Sequence, residues 1–167
     1  MKIAHVIGNG PSKKNFRNEP LGDIIGCNLG DEALALTVTV IMDKVVIDHI
    51  HNNRIKLDWP IVCPQSLKKI AEQCPFPPNV IQTLPYNLKN GESTGHHACV
   101  YALQNYEEVH LWGFDAVWKD SIESDTHQKI PNGPTCATNY KHWRTNWDKV
   151  LKSPLALTRK IIFHPPA

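Results

Sequence analysis

The stretch Gly8-Asn9-Gly10-Pro11-Ser12 orders its residue types in a way that suits capture of a phosphate. Glycines on either side of Asn9 permit backbone angles that other residues resist, so the chain can turn sharply there. Pro11 fits the first position of a helix, where its missing N–H costs nothing. A strand, a tight turn and a helix start with free amides together make a site for an anion. Asn9 adds an amide that both donates and accepts, which suits a polar ligand held in one orientation. Two common phosphate loops are excluded. A dinucleotide fingerprint needs a third glycine where Lys13 stands, and a P-loop needs a Gly-Lys-Ser/Thr ending that is missing here.

A second glycine-bracketed helix start lies at Gly91-Glu-Ser-Thr-Gly95-His-His97. Ser93 or Thr94 can cap it. Two helix N-termini brought together would share a pyrophosphate or a phosphate monoester through their peptide dipoles. Capping by itself also accounts for Ser93 and Thr94. His96 and His97 resemble a metal-ligand pair, but adjacent helical residues do not face the same way. The same objection applies to His49 and His51.

These residues need elements to position them. Short apolar runs rich in β-branched residues predict strands at 2–7, 23–27, 37–42, 60–63, 79–83, 108–112 and 160–163. Helical patterns fall at 45–54, 65–73, 94–106 and 139–152. The polar segment 115–137, with Pro131, Gly133 and Pro134, predicts a long loop. Strands alternating with helices predict an α/β fold. It is a mainly parallel, Rossmann-like sheet covered on both faces, in a single domain over 1–167. In such sheets ligands sit beyond the C-terminal strand ends. That puts Asn9, Asn28, Asp43 and the run Gly113-Phe114-Asp115 on a polar rim. Each is also able to be an ordinary loop cap, and for Asp115 capping is the leading reading.

At 167 residues the chain is long enough for one real core. A net charge of +2 neither demands nor excludes nucleic acid. The five cysteines contain no CxxC pair, which argues against a disulfide framework or zinc finger and for a reducing compartment. The first apolar run breaks at Gly8, too early for a secretory segment, and no apolar stretch approaches membrane-spanning length. The expectation is a soluble, cytoplasmic protein without a membrane span, its oligomeric state left open.

Four separated segments resemble the bacterial lipooligosaccharide sialyltransferases and their relatives, a Rossmann-like family of glycosyltransferases. They are Gly8-Asn9-Gly10-Pro11-Ser12, Cys27-Asn28, Ser93-Thr94-Gly95 and Gly113-Phe114-Asp115. The stretch Asp125-Thr126-His127-Gln128-Lys129 is similar to a loop of that family. The resemblance implies inverting transfer of a sugar from a nucleotide-activated donor to an acceptor hydroxyl, with no required metal or other cofactor. It implies that Asn9 and Asn28 hold the nucleotide, and that Ser93, Thr94 and Gly95 sit around its phosphate and ribose. The chain also departs from the family. Asp43 stands where the family has asparagine, and a carboxylate there suits ribose hydroxyls or a cation better than a phosphate. The loop after Gly113 reads Asp115-Ala116-Val117-Trp118-Lys119, without the family's leaving-group tyrosines. Lys119, His127 or Lys129 would then supply positive charge. The family's Tyr-x-x-His pattern is one residue shorter here, as Tyr140-Lys141-His142. The chain also lacks the family's lid segment, so CMP- and UDP-sugars are equally open as donors.

Glycosyl transfer needs a held leaving group, a deprotonated acceptor oxygen and exclusion of water. Helix N-termini and cations serve the first need. A histidine suits the second, and general-base help typically contributes about 10²–10⁴-fold. His142 is the first candidate and His127 the second. On a helical projection Tyr140, Trp143, Trp147, Val150 and Leu151 share one face, and His142 lies roughly opposite. His142 therefore acts only if the first helical turn faces the donor. Loop 115–137 is the candidate for excluding water. Trp118, Lys119, Lys129 and Tyr140 are the acceptor or leaving-group contacts. Trp118 suits stacking on a sugar or base. Lys119, Lys129, Lys141, Arg144 and Lys149 suit phosphates. The acceptor is either a glycan or a hydroxymethylated base in phage-type DNA. Two alternatives stand beside this: a pterin diphosphokinase-like enzyme holding Mg²⁺ on Asp43 and Asp115, and a nucleotide-binding module without catalysis.

Overall fold

The computed structural model describes residues 1–16, 21–31, 33–89, 92–118, 130 and 140–166, the last stretch without the side chains of 140 and 141. Seven strands form one sheet: β1 (Ile3–Ile7), β2 (Asp23–Cys27), β3 (Val38–Val40), β4 (Ile61–Pro64), β5 (Val80–Leu84), β6 (Glu108–Trp112) and β7 (Lys160–Phe163). All neighbouring pairs are parallel, in the order β5-β4-β3-β2-β1-β6-β7. The helices are α1 (Lys44–Asn52), α2 (Gln65–Glu72), α3 (Thr94–Asn105), α4 (Tyr140–Leu151) and the short α5 (Pro154–Leu157). This is the α/β, Rossmann-like architecture that the alternation of apolar runs predicts.

The period of two along each strand divides the core. Ala4 and Val6 face one way with Val109, Leu111, Ile25 and Val40, under Ala98, Cys99, Ala102 and Leu103 of α3 and Trp147 of α4. Small residues on α3 let its backbone lie close across β1, β2 and β6. Ile7 and Ile24 face the other way, with Phe16 and Leu36. Over the β4 side, Val46, Ile47 and Ile50 of α1 and Leu67 and Ala71 of α2 close a third cluster, which also takes in Ile130. Burying both faces explains why the strands read as continuous apolar runs.

Four local features differ from the sequence expectation. β3 covers only Val38–Val40, with the Ile41 N–H still donating to the Val62 carbonyl of β4 at 2.9 Å. The helix opened by Pro11 is a single 3₁₀ stretch, Pro11–Asn15. Between α4 and β7 stands α5, whose N-cap Ser153 accepts from the Ala156 N–H at 3.3 Å, with Pro154 as its first residue. The loop predicted at 115–137 begins with a 3₁₀ turn, Asp115–Val117, and of the rest only Trp118 and Ile130 lie among the described residues. No helix among the described residues is long and apolar enough to cross a membrane.

The winding direction of the sheet reverses between β1 and β6. The two strand tips are pressed together there. The Gly8 N–H donates to the Trp112 carbonyl at 2.7 Å, and the Gly10 N–H to the Gly113 carbonyl at 2.8 Å. A methyl on Gly113 would stand 2.7 Å from the Gly8 carbonyl oxygen, and φ at Gly113 is +74°. The positive φ alone costs an L-residue about 1–2 kcal/mol. Gly113→Ala is therefore expected to lower stability in urea melts by at least that amount, since backbone and not a pliable side chain is in the way. An unchanged midpoint would contradict this packing.

Candidate functional site

The Gly8–Ser12 turn lies where the sequence places it, at the C-terminal tip of β1. Its helix start is already occupied. Asp115, just past β6, accepts from the Ser12 N–H at 3.1 and 3.2 Å through its two oxygens, and from the Ser12 hydroxyl at 2.6 Å. Both residues are buried. A methyl on Gly10 would stand 2.3 Å from the Asp115 carboxylate, so glycine is needed there for its lack of side chain. The amide assigned from sequence to a phosphate thus carries the protein's own carboxylate, and Asp115 has the capping role. Phe114 fills the space beside it. Its ring lies 2.4 Å from where a Gly95 methyl would be, and 3.0 Å from one on Gly8.

The polar rim lies one step along the sheet, over β1, β2 and β3. The Asn9 side-chain amide donates to the Cys27 carbonyl at 3.2 Å, tying the tips of β1 and β2. Asn28 follows β2 in the left-handed region, at φ +58°. Asparagine tolerates this conformation better than most L-residues. Its backbone is held from both sides: its N–H donates to the Val40 carbonyl at 2.9 Å, and its carbonyl accepts from the Thr39 hydroxyl at 2.8 Å. From above, the Thr94 hydroxyl lies 3.4 Å from Asn28 Oδ1 and 3.5 Å from Asp43 Oδ2. One hydroxyl proton cannot serve two acceptors, and these long contacts are weak. Asp43 occupies the N-cap position of α1 but makes no side-chain cap bond to that helix. Its carboxylate turns toward the rim instead. Burial pushes the Asp43 carboxyl above its usual range, against the Thr94 hydroxyl and the His97 ring, which pull it down.

The start of α3 is built from its own histidines. The Ser93 N–H donates to His96 Nδ1 at 2.9 Å, and His96 Nε2–H donates to the Trp143 carbonyl at 3.0 Å. Burial holds the His96 ring down at about 4, so it is neutral and both nitrogens are engaged. Its ring packs on Trp147 at 4.6 Å. His97 points elsewhere, as the helical geometry requires. Its Nε2 meets Glu92 Oε2 at 2.5 Å, and its ring lies 5.2 Å from Tyr86. Glu92 also accepts from the Lys89 N–H at 3.2 Å. Burial raises the Glu92 carboxyl, but the bonds from His97 and Lys89 outweigh it and hold the group below its usual range. Sequence alone marks His97 only as a metal-ligand candidate beside His96, and singles out neither Glu92 nor Tyr86. The Glu-to-His spacing across the helix start was the available signal, but it shows only once Ser93 is known to be the cap.

The other sequence candidates are dispersed. His142 is exposed on the first turn of α4, one residue before the Trp143 carbonyl that holds His96. That turn therefore lies beside the start of α3. Arg144 Nε donates to the Ala116 carbonyl at 2.9 Å. Trp118 is 49% exposed and its ring meets Phe163 edge-on. Tyr140 begins α4, and Lys119, His127 and Lys129 lie outside the described residues. A groove of about 420 Å³ lined by Lys2, Leu21, Asp23, Tyr101, Asn105 and Tyr106 lies at the opposite, N-terminal ends of the strands and contains none of these candidates. Burial pushes the Cys27 and Cys99 thiols up to about 12, which removes them as nucleophiles at neutral pH. Among the described residues no three His, Cys, Asp or Glu side chains are grouped to hold a metal ion. Asp115 is tied to Ser12 and Asp43 turns toward Thr94, so the carboxylates proposed for Mg²⁺ have separate partners.

No protein-family model, curated protein or solved structure matches this chain.

The raised Asp43 carboxyl has a consequence for stability. Between the unfolded carboxyl's range and the higher folded one, the native state binds more protons, so stability falls as pH rises through that window. Asp43→Asn is expected to stabilise the protein at pH 7, with the gain fading at about pH 4 and below, where the carboxyl is protonated in both states. Urea melts at the two pH values check this. A loss of stability at pH 7 would show that the charged form is the favoured one.

Proposed function

We propose that the chain binds an activated sugar nucleotide on the rim of Asn9, Asn28, Asp43 and Thr94 and transfers the sugar to an acceptor hydroxyl. One observation carries this reading. An asparagine in a costly backbone conformation, a half-buried carboxylate and a helix-start threonine converge on one point beyond the C-terminal ends of parallel strands. Strained, over-determined backbone clusters at functional sites. The weak Thr94 contacts are what a ligand hydroxyl would replace with better ones. Asp43 suits the paired hydroxyls of a ribose, and it would repel a phosphate set directly on it. The phosphate then belongs at the start of α3, near Gly95, because Asp115 holds the Ser12 amide. This order, ribose toward β3 and phosphate toward α3, leaves the sugar beside the first turn of α3. The resemblance of the four segments to sialyltransferase-like enzymes supports transfer over mere binding. The acceptor is a hydroxyl on a glycan or on a modified base in DNA.

Calorimetric titration with CMP, UDP and GDP tests the binding step. At least one nucleotide is expected to bind. Asn28→Gly keeps the positive φ but removes the amide, and is expected to weaken binding at least tenfold while raising or preserving stability. Binding of the same nucleotide by Asn28→Gly with wild-type affinity would remove Asn28 from the site.

A further inference from the structure

Four of the clusters of ionisable side chains among the described residues centre on histidine or tyrosine. His5 is fully engaged, accepting from the Trp112 Nε1–H at 3.2 Å and bonding the Leu21 carbonyl at 3.0 Å. His110 is spanned between Glu108 at 2.7 Å and His164 at 2.8 Å, a chain that fixes the end of β7 against β6. Asp23 and Tyr106 close on each other at the far end of the sheet. The fourth cluster, Glu92 with His97, borders the rim itself.

We propose that His97, oriented by Glu92, takes the proton from the acceptor hydroxyl. The inference rests on the transfer reading above and deepens it. Three observations place His97 for this work. Thr94 and His97 are three residues apart on α3, so they share the side of its first turn that meets the rim. Glu92 holds Nε2, which makes that nitrogen the N–H donor and leaves the lone pair on Nδ1. Nδ1 has no protein partner among the described residues, and the side chain is only 12% exposed. Glu92 is in turn fixed by the Lys89 N–H, so the ring is held by a carboxylate that is itself held. A base with an oriented second nitrogen is the arrangement that general-base catalysis uses.

His142 lacks this support, being exposed with no hydrogen-bond partner among the described residues. His96 is excluded because both its nitrogens are used. The groups around His97 are Asp43 from the tip of β3, Tyr86 from the segment after β5, Glu92 from the turn before α3, and His96 beside it. Lys89 faces Glu92. The two carboxylates favour a positive ring once the proton arrives.

The step balances simply. The acceptor oxygen forms a bond to the anomeric carbon as its proton passes to His97 Nδ1. The bond from that carbon to the phosphate oxygen breaks, and its electron pair stays on the departing nucleotide. Glu92 does not touch the substrate and acts as a positioning residue.

The test uses the full chain with CMP-sialic acid and UDP-glucose as probes, and water as acceptor. Nucleotide release is followed from about pH 5 to pH 8, together with CMP and UDP affinity and the melting temperature. His97→Asn is expected to lower turnover about 10²–10⁴-fold, with nucleotide affinity and melting temperature near wild type. Glu92→Gln is expected to lose less, and to lose it in kcat with nucleotide affinity kept, because the ring loses its orienting carboxylate but no group that touches the nucleotide. Added imidazole is expected to restore part of the rate of His97→Ala. Wild-type turnover by His97→Asn, or a loss explained wholly by weaker binding or melting, would overturn the proposal. So would nucleotide binding by the native chain without turnover of either probe. If no nucleotide binds at all, the underlying reading fails first, and the affinity data separate that case from the others.

Discussion

The Asp115 carboxylate on the Ser12 amide and hydroxyl is the constraint from which the rest of the site follows. A hydrogen bond to a charged group contributes about 1.5–3 kcal/mol, and this one is buried at the point where the sheet reverses its winding. It clamps the loop after β6 to the loop after β1. Gly10 gives the carboxylate room, Gly8 and Gly113 let the two backbones touch, and Gly95 admits the Phe114 ring beneath α3. The crevice that such a sheet usually offers between its two innermost strand tips is thereby filled with the protein's own groups. The polar side chains that remain at this end of the sheet stand over β2 and β3, where Asn28, Asp43 and Thr94 meet.

The fold was largely legible in the sequence because both faces of the sheet are buried. Each strand is then a continuous apolar run, and the helices between them set the parallel order. What sequence could not show was partner choice across the sheet. Asp115 and Ser12 are far apart in the chain, and nothing local says that a carboxylate, and not a phosphate, will meet the Pro11–Ser12 turn. The asparagine and threonine of the rim were visible as polar residues at strand and helix ends. Asn28, Asp43 and Thr94 do come together. His97 was set aside with His96 because adjacent helical residues diverge. That divergence is real, and it separates a structural histidine under Trp147 from one paired with Glu92.

The rim also shows how stability and chemistry pull in different directions. Asn28 sits at a positive φ that glycine would adopt without cost, and Asp43 is buried enough to resist ionisation. Neither choice helps the fold. The Ser93–His96–Trp143 bonds and the close packing at Gly113 offset them, by fixing α3 and the strand tips rigidly around the strained residues. Two carboxylates, Asp43 and Glu92, flank His97 from different elements. The charge they present suits hydroxyl groups and a proton in transit, as the proposed transfer to an alcohol would need.

The central claim is that a nucleotide lies on the β2–β3 side of the sheet, under the start of α3, and not at the turn between Pro11 and Asn15. Backbone amide shifts followed by NMR during titration with the nucleotide that binds test it directly. The account predicts that the amides of Asn28, Asp43, Thr94 and Gly95 move together while that of Ser12, still held by Asp115, stays in place. Large shifts at Ser12 and Lys13 with a silent Asn28 and Thr94 would contradict it.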